Sequence, residues 1–176
     1  MIHQKQYKWL EKENGPNVIV EAVKLYGTKE IIGKEHSKEI LGWAEDLGSK
    51  KVYTNDEIPW CGLFAAIVVK RAKFDPVENP LWARNWNNFG TKQNDAMLGD
   101  ILVFSRESGG HVGFYVGEDK TCYHVLGGNH SNMVNTTRIL KSRCIGIRRC
   151  QWKKAQPKNV RKIELESNGL ISTNEA

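Results

Sequence analysis

The stretch DEIPWCGLFAAIVVKRA (residues 56–72) sets Cys61 directly after Pro-Trp and directly before an apolar run that ends in Lys-Arg-Ala. A thiol is a risky packing residue, because free cysteine fills space like a small hydrophobe while staying open to oxidation and metal capture. With Pro59 in the first turn of a helix, where its missing N–H costs nothing, Cys61 lies among unpaired backbone N–H groups that favour an anion. Such a position lowers a thiol pKa from its free value of about 8.5 and makes thiolate available near neutral pH. A nucleophilic cysteine also needs a base, usually histidine, and that histidine needs an orienting partner.

Five histidines are present, at 3, 36, 111, 124 and 130. His3 and His36 lie in polar, charged surroundings and read as surface residues. His111 opens an alternating segment, HVGFYV, in which Val112, Phe114 and Val116 make one face and His111, Gly113 and Tyr115 the other. A glycine weakens a strand, so Gly113 signals that another group or a substrate backbone comes close to the imidazole. Two residues on the next strand can orient His111. A three-residue loop, Glu118-Asp119-Lys120, sets His111 opposite Gly127 with Asn129 on the same face, whereas a two-residue loop brings His124 there. A zinc site built from Cys61, His111, Cys122 and His124 has suitable ligand types, but Cys122 and His124 are i, i+2 on one strand and the chain has no Cys-x-x-Cys pair, so no metal is expected.

The elements that must hold these groups fall into two halves. Apolar spacing predicts helices over 17–26 and 37–48, the second capped by Ser37 and stopped by Gly48. The segment 61–72 contains the β-branched run Ile67-Val68-Val69, yet its length and apolar placement suit a buried helix. After residue 98, short β-rich segments at 100–106, 111–119, 121–129, 133–140 and 144–150 alternate with Gly, Asn, Asp or Ser. Helices followed by strands indicate an α+β fold, with N-terminal helices packed on a C-terminal antiparallel sheet.

A length of 176 residues fits one domain, placed over 1–150, with 151–176 as a basic extension whose order the sequence leaves open. Four unevenly spaced cysteines do not make a disulfide framework. The formal charge of +6 favours polyanionic partners, among them nucleic acid, an anionic membrane surface or an anionic wall polymer. No window is long and apolar enough for a membrane span. The polar N-terminus, MIHQKQYKWLEKENG, lacks a secretory h-region, so the expected place of synthesis and residence is the cytoplasm unless another agent carries the protein out.

Four segments in order, EIPWCGLFAAIVVKRA, LGDILVF, GGHVGFYVGED and HVLGGNHSN, resemble the papain-like cysteine amidases of the CHAP and NlpC types, peptidoglycan hydrolases of bacteria and their phages. The resemblance covers roughly residues 17–150 and is nearest to a single-domain phage and bacterial subfamily. It implies a papain-like fold with the nucleophile at the N-terminus of a buried helix, Cys61 as nucleophile, His111 as base and Asn129 as the orienting residue, His124 being the rival that NlpC spacing suggests. CHAP sites often carry Glu two residues before the Asn, and here that position is Gly127. The activity implied is amide hydrolysis through a thioester, without a cofactor. Its target would be bacterial peptidoglycan rather than nucleic acid, with Trp60, Gly113 and Trp86 lining the cleft of a monomer. Without a leader, such an enzyme would act as a phage lysin, a virion component or an injected protein. A toxin-type cysteine deamidase or acyltransferase would use the same three residues, and a non-catalytic wall-binding module would use the charge and aromatics alone.

Overall fold

A computed structural model of the chain describes residues 1–107 and 109–173. Three α-helices precede six strands: α1 (Asn17–Lys24), α2 (Lys38–Asp46), α3 (Cys61–Arg71), β1 (Thr91–Lys92), β2 (Ile101–Ser105), β3 (Gly110–Glu118), β4 (Cys122–Gly127), β5 (Asn135–Leu140) and β6 (Cys144–Arg149). Short 3₁₀ turns at Lys5–Lys12 and Ala83–Asn88 flank the helical half, and neither they nor the two-residue β1 leave a periodic signal in the sequence. The strands form one antiparallel sheet in the order β1-β6-β2-β3-β4-β5. The chain is thus α+β, helices first.

Helix α2 begins as its sequence dictates, the Ser37 hydroxyl accepting the Ile40 N–H. Helix α3 starts at Cys61 rather than at the proline: Trp60 is the N-cap and Pro59 lies outside the helix. Residues 61–69 are all buried, so α3 is apolar on every side and its β-branched stretch is stabilised as helix by surrounding core rather than by intrinsic propensity.

The sheet carries a separate apolar cluster on each face. Ile101, Val103, Val112, Phe114, Val116 and Leu126 pack with the three helices, and the Phe64 and Phe114 rings meet edge to face at 6.0 Å. Leu102, Phe104, Tyr115, Val125 and Ile139 make the second cluster. The C-terminal extension closes that face. The Tyr115 hydroxyl bonds to both the carbonyl and the N–H of Ile163, and Glu118 exchanges backbone hydrogen bonds with Ile163 and Leu165. A Cβ at Gly117 would lie 2.4 Å from Leu165, so that glycine is what lets the extension lie flat. Residues 157–172 are therefore docked on the domain, and 174–176 lie outside the described residues. No described helix is long and apolar enough to cross a membrane.

Register between β3 and β4 differs from both loop models. The Asp119 N–H bonds the Cys122 carbonyl, closing a turn over Lys120-Thr121, and a bulge sits between Tyr115 and Gly117. Gly117 pairs with His124 and Phe114 with Leu126. Carried on, the second register sets His111 opposite residue 129, where the chain has already left the sheet.

Candidate active site

Cys61 occupies the first position of α3 and is 5% exposed. What precedes and follows it is immobilised by packing. The Trp60 indole is fully buried against Trp43, ring centroids 6.0 Å apart, and its Nε1 donates to Glu30 at 3.2 Å. Gly62 lies beneath the carbonyls of Pro80 and Leu81, which a Cβ would meet at 2.3 and 2.8 Å. The backbone N–H groups of Val112 and Gly62 lie near enough to the sulfur to favour its thiolate, which places Cys61 close to the residue that follows His111. Nucleophile and base candidate thus come from α3 and from the start of β3.

The His111 imidazole belongs to the sheet face of Phe104 and Tyr115 and is fully buried. Its Nε2 lies 2.7 Å from Nε2 of His130, and the two rings are tilted with centroids 4.7 Å apart. His130 Nδ1 donates to the Asn135 carbonyl at 3.0 Å. A carbonyl only accepts, so in the neutral pair the His130 proton sits on Nδ1, its Nε2 accepts, and His111 must donate from Nε2. His111 is left with its lone pair on Nδ1, which is buried and has no hydrogen-bond partner.

The loop 129–135 explains how His130 reaches this place. Asn129, Ser131 and Asn132 all adopt left-handed backbone, with φ of 61°, 51° and 60°, a conformation that Asn tolerates far better than most residues. His130 and Met133 exchange backbone hydrogen bonds across the turn, and Asn135 Nδ2 donates to the His130 carbonyl. The folded-back imidazole fills the space in front of Gly127, where a Cβ would fall 2.8 Å from His130 and 3.3 Å from His111 Nε2. A Cβ on the next residue, Gly128, would strike Trp60 and the Cβ of Phe64. The Gly127-Gly128 dipeptide is therefore the thin partition between the start of α3 and the two histidines.

These contacts redistribute the residues marked in the sequence. Cys61 comes near the backbone of Val112, the residue after His111, whereas the His111 imidazole lies on the opposite face of the sheet with Phe104. Asn129 is 5% exposed and its Oδ1 is buried without a partner, so it does not orient His111. His124 is engaged elsewhere, Nε2 bonding Asp119 at 2.9 Å and Nδ1 accepting from Tyr7 at 2.7 Å. Gly113 is crowded by its own sheet, a Cβ there meeting Val125 at 2.5 Å, so the close neighbour is β4 and not a substrate. Trp60 and Trp86 are both 0% exposed, Trp86 donating to the Pro80 carbonyl, so neither indole lines an open cleft. His130 carries no sequence pattern of its own. The signal for it was the glycine at 127 together with the Asn-His-Ser-Asn turn.

Electrostatics also depart from expectation. Burial pushes the Cys61 thiol up from its ordinary value, and the N–H groups of Val112 and Gly62 with the Arg106 charge only partly offset it. Burial, followed by the charges of His130, Arg106 and Arg143, holds His111 well below the ordinary histidine value. At rest the Cys61 thiol and the His111 imidazole are both neutral. Iodoacetamide labelling of Cys61, followed by peptide mapping, should therefore be slow at pH 7 and should climb only above about pH 8.5; a plateau reached below pH 7 would reveal a preformed thiolate instead.

Among the described residues no three His, Cys, Asp or Glu side chains gather as a metal site. No protein-family model matches the chain, and no curated protein matches it.

Proposed function

We propose that the protein is a cysteine amidase that hydrolyses an amide bond of bacterial peptidoglycan. One observation carries the chemistry: a thiol at the first turn of a buried helix, near the backbone of the residue after His111, with His111 held through Nε2 and its Nδ1 left without a partner. The substrate class comes from the resemblance of the four sequence segments to CHAP- and NlpC-type hydrolases.

In the mechanism this implies, His111 Nδ1 takes the Cys61 proton as sulfur attacks the amide carbonyl carbon. Backbone N–H groups at the start of α3, that of Cys61 first, stabilise the oxyanion. His111 then protonates the leaving amine as the C–N bond breaks, leaving an acyl thioester on Cys61. Water, deprotonated by His111, attacks the thioester, and the acid and the free thiol are released. His130 holds the Nε2–H throughout. Burial and the charges of His130, Arg106 and Arg143 disfavour a charged His111, so the imidazolium forms only as attack proceeds, and substrate docking must drive the proton transfer that a preformed ion pair would have completed beforehand.

The test is digestion of purified peptidoglycan with mass-spectrometric identification of the fragments. Soluble fragments with one new amine terminus are expected from the native protein and none from Cys61→Ala. The position of that terminus names the bond as a stem-peptide link or the N-acetylmuramoyl-L-alanine amide. Equal release by the variant would overturn the reading.

A further inference from the structure

We propose that Trp82 is a stacking platform for a pyranose ring of the glycan strand, on the rim of the Cys61 site. The proposal rests on the peptidoglycan reading and adds the part of the polymer that the rim grips. Trp82 is 73% exposed, alone among the Trp residues as an exposed large apolar side chain among the described residues. A single exposed apolar residue is ordinary; its place in the chain is what singles it out.

Residues 80–84 bridge the two halves of the site. At one end the carbonyls of Pro80 and Leu81 lie on Gly62, the residue after Cys61. At the other, Arg84 donates to the Gly109 carbonyl at 2.7 Å, and its side chain and that of Ala83 pack on Gly110, the residue before His111. Trp82 is the middle of that span and is mostly exposed, so its indole is open to solvent beside the joined backbone segments of Cys61 and His111. The bridge is rigid, because the Trp82 N–H bonds the Asn79 carbonyl and the Pro80 carbonyl takes the Trp86 indole N–H.

The same hydrogen bonds argue for a sugar over a peptide. The Trp82 N–H and the carbonyls of Pro80 and Trp82 are spent on Asn79, Trp86 and Asn85, so the bridge lacks the run of free groups that an extended peptide pairs with. Its cation is also engaged, Arg84 bonding the carbonyls of Gly109 and Arg106, so the bridge offers no ready partner to a stem-peptide carboxylate. What it presents is a flat, uncharged aromatic surface, which suits the C–H face of an N-acetylated pyranose.

The test uses binding, so that it does not depend on catalysis. The Trp82 indole N–H resonance, assigned by its absence from Trp82→Phe, is followed while a β-1,4-linked N-acetylglucosamine tetramer is added to the Cys61→Ala protein. The resonance should shift saturably, and Trp82→Ala should weaken tetramer binding about 5-fold or more, with Trp82→Phe in between. On solubilised peptidoglycan, Trp82→Ala in the otherwise native protein should raise KM by a similar factor and leave kcat within twofold, whereas Val52→Ala, an exposed apolar control, should change neither. No shift with the tetramer, or a shift with sugar-free stem peptide in its place, would overturn the proposal. If wall digestion fails while the tetramer still shifts Trp82, the hydrolase reading falls and the saccharide site stands.

Discussion

Replacing His130 with alanine is expected to lower kcat by roughly 10²–10⁴-fold with little change in KM, the range seen when a catalytic histidine loses its proton transfer or its orienting partner. The variant removes the one hydrogen bond that fixes the His111 tautomer, leaving a buried Nε2–H unpaired and the ring free to place its lone pair on the wrong nitrogen. His130→Gln should recover most of the rate, because a carboxamide oxygen can accept the same Nε2–H. A pH profile separates orientation from simple loss of packing. His130 is among the charges that depress His111, so removing it raises the His111 pKa. In the native protein the acid limb of kcat/KM should lie below the ordinary histidine value of about 6.5, and in both His130 variants it should move to higher pH, even where Gln restores the rate. Asn129→Ala should cost less than His130→Ala, and His124→Ala should leave kcat of the folded protein unchanged. A His130→Ala enzyme within threefold of native kcat, beside an inactive Asn129→Ala, would return the orienting role to Asn129.

Much of what positions the site is visible in the sequence, and what is not has identifiable physical reasons. Helix α3 is legible because a run of that length without a break is long for a strand, whatever the preferences of Ile67, Val68 and Val69. The five main strands are legible because Gly, Asn and Asp punctuate alternating segments. Register is the first thing lost. The bulge between Tyr115 and Gly117 adds a residue with no compositional mark, and a one-residue slip exchanges the faces of everything beyond it. An undecided loop length makes His124 and Asn129 look like alternatives across from His111, whereas the imidazole that reaches it arrives from a turn outside the sheet. The path of His130 depends on three left-handed residues around it, Asn129, Ser131 and Asn132, which Asn-rich sequence permits without specifying. The tryptophans fail for a different reason. In LWARNW, Trp82 and Trp86 stand four apart in chemically similar settings, and only the packing of the 80–88 segment on Gly62 decides that one is fully buried and the other mostly exposed.

The Gly-Asp of LGDILVF is a further case of a motif whose work is structural. Asp100 holds Arg149 of β6 through two bonds, Nε to Oδ1 at 2.8 Å and Nη2 to Oδ2 at 2.7 Å, while accepting the Met97 N–H. Gly99, at φ 88°, lies against Pro16 and Val18. The pair seals the entry of β2 against the helical layer. It contributes to the site only by fixing the strand from which Phe104 packs on His111.

The largest loss of stability is expected from Asp119→Ala, about 3–5 kcal/mol, which for a chain of this size corresponds to roughly 6–20 °C in Tm. Asp119 is where four separated parts of the chain converge. Its Oδ1 accepts the N–H groups of Thr121 and Cys122 and so builds the β3–β4 turn. Its Oδ2 accepts from His124 and from Arg138 at 2.9 and 2.8 Å. Beyond them, Tyr7 of the N-terminal turn donates to His124 Nδ1, and Arg138 Nη1 donates to the Gly169 carbonyl of the extension. Removing the carboxylate strands a guanidinium and an imidazole N–H, both buried. The pH dependence follows from the directions of the shifts. Asp119 is held far below the usual carboxylate range, after its burial cost, by the bonds from Arg138, Thr121, His124 and Cys122. A depressed pKa contributes stability that is complete above the unfolded value of about 3.9 and is lost only as pH falls toward the folded one. His124 is depressed too, chiefly by burial and against the pull of Asp119, so native stability already declines as pH drops below about 6.5, where the unfolded histidine binds a proton and the folded one does not. Without Asp119 the His124 pKa falls further, so the variant should keep losing stability at pH values where the native protein has levelled off. Urea melts between pH 4 and 8 measure both effects, and a loss under about 1 kcal/mol at pH 7 would show that the network is replaceable. Because this cluster touches neither Cys61 nor His111 directly, kcat of the folded variant, assayed well below its Tm, should stay close to native.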